Sequence, residues 1–345
     1  MQTFCTLFDS YYLDKGIVLY RSLEKVTEDF TLYIFSFDDR SEEILKKMNL
    51  KHAVILSHRD IEQDEPRLLE AKKERSKAEY CWTCTPVIIE YVLDHFDVDS
   101  CTYIDSDLYF FADPKPLFDE IKDNNCNILI TPHRFPDTAK GRKTCKRSGK
   151  YCVEFNYFDR SDNARQALTW WKERCLEWCY HIYEADRMGD QKYLEKFPVK
   201  FKGVHEMANK GGGVAPWNFA QYVLSNDPGK DKNSLQSKAD GNVFLKEKTT
   251  GEVFPVIFYH FQNLRFLSEN VINVSSESHS KKTKDAVYPR YLRAIRDCRK
   301  ELMEYGVTFS VKKIYASNKL IAWLQGTVLR FKIKSLTDIY NWDKL

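Results

Sequence analysis

Short apolar runs alternate with amphipathic stretches through the first 130 residues of the chain. Residues 3–8 are almost wholly apolar, break at Asp9-Ser10-Tyr11-Tyr12, and give way to 16–23, where Ile17, Tyr20 and Leu23 share one helical face. The apolar pattern returns at 31–36 and 52–56, with a helix expected at 41–48 between them. Residues 62–84 are highly charged and mostly helical in pattern. Thr85-Pro86 then reads as the N-cap and first residue of a helix that buries Val87, Ile88, Tyr91, Val92 and His95. A buried strand at 101–104 stops at Asp105-Ser106-Asp107, and an aromatic strand at 108–111 resumes at once, ended by Asp113-Pro114. Further strands are expected at 127–131 and 155–158. Ser161 caps a helix with the stripe Ala164, Leu168, Trp171, Cys175, Trp178 and Ile182. Gly189-Asp190-Gln191 opens a short helix through Leu194, and 253–261 is a last apolar strand. Strands alternating with helices predict an α/β fold with a sheet flanked by helices.

From Pro289 onward the pattern is helical and basic. Ile314, Ile321, Leu324, Val328 and Phe331 form a stripe near heptad spacing, with Trp323 near its middle. The expected division is a main domain over 1–280, its halves meeting near 130, and a basic helical region over 281–345. Net charge is +3 over 345 residues, which is unlike a nucleic-acid-binding chain, and no such partner is expected. The charge is uneven: residues 281–334 carry a net +10 and the remainder −7. A basic amphipathic helix suits either an anionic membrane surface or a return onto the domain. No signal peptide or membrane span is visible, and ten cysteines without one read as reduced thiols of a cytoplasmic protein. Cys81 and Cys84 read as helix packing, since no second pair completes a zinc site.

The chemistry concentrates at Asp105 and Asp107. Ligands of open α/β sheets bind beyond the carboxyl ends of the strands. Two carboxylates there suit a divalent cation that also carries phosphates, although Asp and Ser are equally ordinary in turns. Tyr11 or Tyr12 can stack on a base or cover the core. Residues 140–150, with Lys140, Arg142, Lys143, Lys146, Arg147 and Lys150, read as a solvated loop or as a basic flap over an anionic substrate. Gly211-Gly212-Gly213 lets the backbone approach a ligand or another chain closely.

Four features in order, the Asp-Ser-Asp between strands, the Phe155-Asn156 strand, Gly189-Asp190-Gln191 and His260-Phe261 at a strand end, resemble those of GT-A fold glycosyltransferases, most closely the family 8 type. The resemblance covers about residues 3–265. It implies that Asp105, Asp107 and His260 hold Mn2+ or Mg2+, and that Asp190 and Gln191 stand beside the reacting carbon. It places the nucleotide on residues 6–11, with Thr6, Phe8, Asp9 and Tyr11 as contacts. It puts Ser106 on the donor with Asp105, and a cation, Arg75 or Lys77, nearby. The chain departs from the family where a lysine usually follows His-Phe-x-Gly; here His260-Phe261-Gln262-Asn263 is followed by Arg265, the candidate for the diphosphate. The implied activity is metal-dependent transfer from a nucleotide sugar, a UDP-sugar by expectation, with retention, to a glycan or lipid-linked acceptor. The tail would hold the enzyme at the cytoplasmic membrane face. The alternatives are an inactive nucleotide-sugar-binding protein and, further off, a haloacid-dehalogenase-like phosphohydrolase. The latter usually has Thr or Val where this chain has Tyr109.

Overall fold

The computed structural model describes residues 1–226, 242–266, 271–274, 280–309, 339–342 and 345. In chain order the elements begin β1 Gln2–Phe8, α1 Leu13–Val26, β2 Phe30–Ser36, α2 Asp39–Met48, β3 Ala53–Ser57, α3 His58–Asp64, α4 Leu68–Glu74, α5 Lys77–His95, β4 Ser100–Ile104 and β5 Leu108–Phe110. They continue with α6 Lys115–Asp123, β6 Ile128–Pro132, α7 Ala139–Ser148, β7 Tyr151–Asp159, α8 Asp162–Glu177, a 3-10 turn Gln191–Lys196, α9 Phe197–Lys200 and β8 Val204–Glu206. The remainder is a short 3-10 turn at Phe219–Gln221, β9 Tyr222–Ser225, β10 Phe244–Glu247, β11 Val253–Pro255, β12 Phe258–His260, β13 Arg265–Phe266, β14 Val271–Asn273, α10 Lys281–Glu304 and β15 Ile339–Asn341.

The main sheet has the order β3-β2-β1-β4-β7-β6-β8. Strands β1 to β4 are mutually parallel, β7 runs antiparallel to both neighbours, and β8 is parallel to β6. Alternation along β1 feeds two cores. Phe4 and Phe8 pack on the side of α1 and α10, and Cys5 and Leu7 on the side of α5 and α8. Helices therefore cover both faces, as the parallel half of the sheet requires.

Several expected boundaries move. Helix α5 starts at Lys77 because Ser76 and Glu79 form a reciprocal capping box, so Pro86 lies inside the helix. Residues 139–148 are a helix, not a loop: the Thr138 side chain accepts from Gly141 N and starts it. Helix α8 stops at Glu177, short of Ile182. The run 253–261 divides, β11 pairing with β10 and β12 with β5.

Helix α10 begins at Lys281, with Pro289 inside it, and packs on the domain through Val287, Tyr288, Tyr291, Leu292, Ile295, Cys298 and Leu302. Arg21 pairs with Glu301 at 2.6 Å and Arg299 with Asp14 at 2.6 Å, which fastens it to α1. The stripe from Ile314 to Phe331 lies outside the described residues. No described helix is long and apolar enough to cross a membrane.

Candidate active site

Strand β4 delivers Asp105 and Asp107 to the carboxyl edge of the sheet. The turn is pinned by Asp105 N donating to Glu154 O at 3.1 Å and by Phe261 N donating to Asp107 O at 3.0 Å. Strand β5 then leaves the main sheet and pairs with β12, setting His260 opposite Leu108. Three distant segments, 104–108, 154 and 258–261, thus meet at one point.

His260 Nε2 lies 3.0 Å from Asp107 Oδ1 and 3.7 Å from Asp105 Oδ2, while Nδ1 lies 2.7 Å from Glu154 Oε2. Tyr103 donates its hydroxyl to Asp105 Oδ1 at 2.8 Å. Side-chain exposure falls from 29% at Asp105 and 14% at Asp107 to 5% at His260 and none at Glu154, so the cluster opens to solvent on the aspartate side. Burial opposes a charged His260, but Asp107 and the hydrogen bonds to Asp107, Cys152 and Glu154 hold the ring well above its ordinary value. Burial likewise pushes Asp107 up, yet the charge and hydrogen bond of His260, with the charge of Lys15, keep it below the usual carboxylate range. Asp105 is raised by burial and by Asp107 against the opposing charge of His260.

This donor set fits a divalent cation. Ligand atoms of Asp105, Asp107 and His260 lie within 4.8 Å of one another, and two carboxylates with an imidazole suit Mn2+ or Mg2+. Cys152, Glu154 and His260 form a second compact group. All three are buried, and burial raises the Cys152 thiol well above its ordinary value, so it is a protonated and poor ligand. Glu154 instead supports His260 from behind, and its Oε1 has no hydrogen-bond partner among the described residues.

The glycine run packs against chain. His260 N donates to Val214 O at 2.9 Å and Ile257 N to Gly211 O at 2.8 Å. Gly213 has φ +77°, and a side chain there would stand 3.1 Å from Glu154 Oε1. Trp217 stands edge-on to the His260 ring, with centroids 5.2 Å apart.

Asp190 is buried beside this cluster. Burial lifts its carboxyl to about 7, against the opposing effect of hydrogen bonds from its own backbone, Thr85 and Gln191. Its charge is felt at Asp105 and Tyr103. Although it precedes the 3-10 turn, its side chain does not cap that turn. The Gln191 amide is spent on Ser148 O, joining the basic helix α7 to this segment.

The expected nucleotide contacts separate. Asp9 Oδ1 accepts from Tyr11 N at 2.9 Å and Tyr12 N at 3.1 Å and so shapes the loop after β1, while its other oxygen pairs with Lys77. Tyr11 is 79% exposed at the rim, and Ser106 is half-buried between the aspartates. Thr6 and Phe8 are core residues of β1. Arg75 corrects an expectation: its guanidinium is buried on Thr83 Oγ1 and the carbonyls of Cys175 and Leu176, where it ties α5 to α8. Arg265 is exposed in β13, and among the described residues no ion pair joins it to Asp105 or Asp107. Sequence reasoning missed Glu154 and Lys15. An acid inside the apolar run 151–158 was a signal for the first; nothing in the α1 pattern marked the second.

No protein-family model matches the chain. Its architecture is that of the GT-A glycosyltransferases: the galactosyltransferase LgtC, solved with donor and acceptor sugar analogs, superposes with a TM-score of 0.53 at 12% identity, over 86% of this chain and 96% of that one. The chain belongs to the same protein family as YfnF of Bacillus subtilis (strain 168), an uncharacterized protein, with 30% identity over 280 residues, 80% of this chain and 86% of YfnF. YfnD of the same strain, also uncharacterized, is 29% identical over 274 residues, 79% of this chain and 80% of YfnD.

Proposed function

We propose that the protein transfers a sugar from a nucleoside diphosphate sugar, with UDP-sugars the first choice, to a hydroxyl of a glycan or lipid-linked acceptor. The observation that carries this reading is the convergence of Asp105, Asp107 and His260 at the carboxyl edge of a GT-A sheet. In such a transfer the bond from the anomeric carbon to the diphosphate breaks, and the nucleoside diphosphate leaves with added negative charge. A divalent cation held by Asp105, Asp107 and His260 would neutralise that charge. Glu154 orients His260 for this, and Tyr103 holds Asp105. Asp190, titrating near neutrality in a buried place, can accept from or donate to a sugar hydroxyl beside the anomeric carbon. Retention at that carbon follows from the resemblance to family 8.

The test is a screen of nucleotide sugars for Mn2+-dependent release of nucleoside diphosphate. Release from one or a few donors supports the reading. Nucleotide binding without release from any donor favours the inactive binder, and neither binding nor release refutes the reading.

A further inference from the structure

Helix α7 gathers like charge that the described fold does not neutralise. Residues 140–150 hold six cations, Lys140, Arg142, Lys143, Lys146, Arg147 and Lys150, and no acid. Arg142 pairs with Asp137, and Lys150 with Glu206 at 2.6 Å. Lys143, Lys146 and Arg147 are exposed and have no carboxylate partner among the described residues. Standing at i, i+3 and i+4, they share one helix face, where like charges weaken the helix. Arg147 lies over the ring of Tyr183, its guanidinium carbon 4.1 Å from the centroid.

This helix stands at the same edge of the sheet as the aspartate turn. Strands β4 and β6 both run antiparallel to β7, so the excursion from β6 through α7 to β7 rises from their shared carboxyl edge. His133 N donates to Lys150 O at 2.9 Å and closes its neck. The His133 ring stands edge-on to Trp217 with centroids 5.2 Å apart, and Trp217 stands likewise to His260. On its other side, Lys192 Nζ donates to Lys146 O and to Glu184 O, both at 2.8 Å, which clamps α7 to the loop 178–189 that leads into Asp190. That loop adds rings. His181 Nε2 lies 3.1 Å from the Tyr183 hydroxyl, and the His181 ring stands 5.7 Å from Trp82. Trp82 in turn lies 3.4 Å from where a side chain on Gly189, the residue before Asp190, would begin. His181, Ile182 and Tyr183 are exposed. Of the loop's acids, Glu184 is paired with Arg187 at 2.5 Å and Asp186 is exposed.

Exposed rings beside unpaired cations, tied on one side to the metal cluster and on the other to Asp190, suit a ligand with apolar sugar faces and negative charge. We propose that the Lys143, Lys146 and Arg147 face of α7, with Tyr183 and His181, binds the acceptor, and that this acceptor is an acidic glycan whose sugars carry carboxylates. Three separate single cations along one face match single charges repeated along a chain, whereas one phosphate calls for donors that converge on a point. That the bound glycan is the acceptor rests on the function proposed above; the surface itself does not. The rings take the sugar faces, α7 takes the charge, and the end of the chain lies toward Asp190.

The test is calorimetric binding of a short hyaluronan oligosaccharide, its carboxyl-reduced form and phosphatidylglycerol vesicles to the full chain. It compares wild type, the pair Lys143→Glu with Lys146→Glu, and Tyr183→Ala. Both lysine side chains are exposed, and Lys192 holds only the backbone of residue 146, so the pair should stay folded. The control is Lys25→Glu with Lys51→Glu, exposed where α1 ends and β3 begins, at the opposite edge of the sheet. Wild type should bind hyaluronan about tenfold or more tighter than the reduced form, and less tightly as salt rises. The α7 pair should lose about tenfold in hyaluronan affinity and Tyr183→Ala about threefold, with the control near wild type. If wild type ignores hyaluronan or binds both forms equally, or if the α7 pair loses no more than the control, the surface is refuted while the transferase reading stands. If hyaluronan binding depends on α7 but no donor yields nucleoside diphosphate, the surface stands and the transferase reading falls. Vesicle binding that the α7 pair loses, with hyaluronan ignored, would give the face to a membrane and overturn the proposal.

Discussion

His260 Nδ1 and Glu154 Oε2 lie 2.7 Å apart in a contact closed to solvent, and this pair decides which ring nitrogen faces the aspartates. Glu154 is the residue of β7 beside the aspartate turn, and its backbone carbonyl accepts from Asp105 N. One residue therefore fixes both the turn and the imidazole. Glu154→Gln keeps the volume and removes the charge that holds the ring. Mn2+ affinity, titrated with nucleoside diphosphate present, is expected to fall about 10- to 100-fold. An unchanged affinity in a folded variant would show that Glu154 is packing only.

Asp190 yields a prediction in which stability and activity part. Its folded pKa of about 7 lies above the ordinary 3.8, so the folded state holds the proton more tightly than the unfolded one. The stabilisation from this group is complete below about pH 4 and is lost as pH rises through about 7. Asp190→Asn cannot ionise, so its denaturant stability should lack that decline. The gain over wild type should grow by about 1.4 kcal/mol for each pH unit crossed. Turnover should fall strongly with nucleotide binding nearly intact. Parallel stability profiles for the two proteins would remove the buried-acid account, and unchanged turnover would remove Asp190 from the reaction.

The sheet, the aspartate turn and the strand-end His260 were legible because each is local: an apolar run, a polar break, an apolar run again. What brings them together was not, since the β5–β12 pairing joins residues about 150 apart with no pattern to announce it. Pro86 misled the reading of α5 because the Ser76–Glu79 capping box lies a full ten residues earlier and outweighs the proline signal. Residues 140–150 read as loop from their charge and two glycines, yet a Thr138 cap suffices to start a helix over 139–148 whose cations face water. Arg75 had the right type and neighbourhood for a donor contact, and only packing shows its guanidinium turned onto helix carbonyls. Lys15 sits in the first turn of an ordinary helix, and its burial under the Tyr12 ring appears only in the folded chain.

Two tyrosines of α10 allow one substitution to be read in opposite directions. Tyr288 shares a 2.9 Å hydrogen bond with the buried Tyr259 hydroxyl, whereas the Tyr291 hydroxyl has no partner among the described residues. Tyr288→Phe should cost about 1–2 kcal/mol in urea unfolding, and Tyr291→Phe should be neutral or stabilising by about 1 kcal/mol. Equal losses at both positions would contradict this packing of α10.

The basic stretch over residues 289–334 supports a separate expectation, drawn from sequence. Its cations and the stripe around Trp323 should bring the full chain down with anionic vesicles at low salt and release it at high salt. No binding at low salt, or equal binding to neutral vesicles, would contradict a membrane role.

The central claim is that Asp105, Asp107 and His260 form the working site of a nucleotide-sugar transferase. The direct measurement is release of nucleoside diphosphate from the preferred donor, followed for wild type and Asp107→Ala with Mn2+ and with excess chelator. Asp107 lies in a turn at the sheet edge, so the variant should stay folded. Release is expected from wild type with Mn2+ alone, falling to background in chelator and in Asp107→Ala. Full release in chelator, or from a folded Asp107→Ala, would contradict the account.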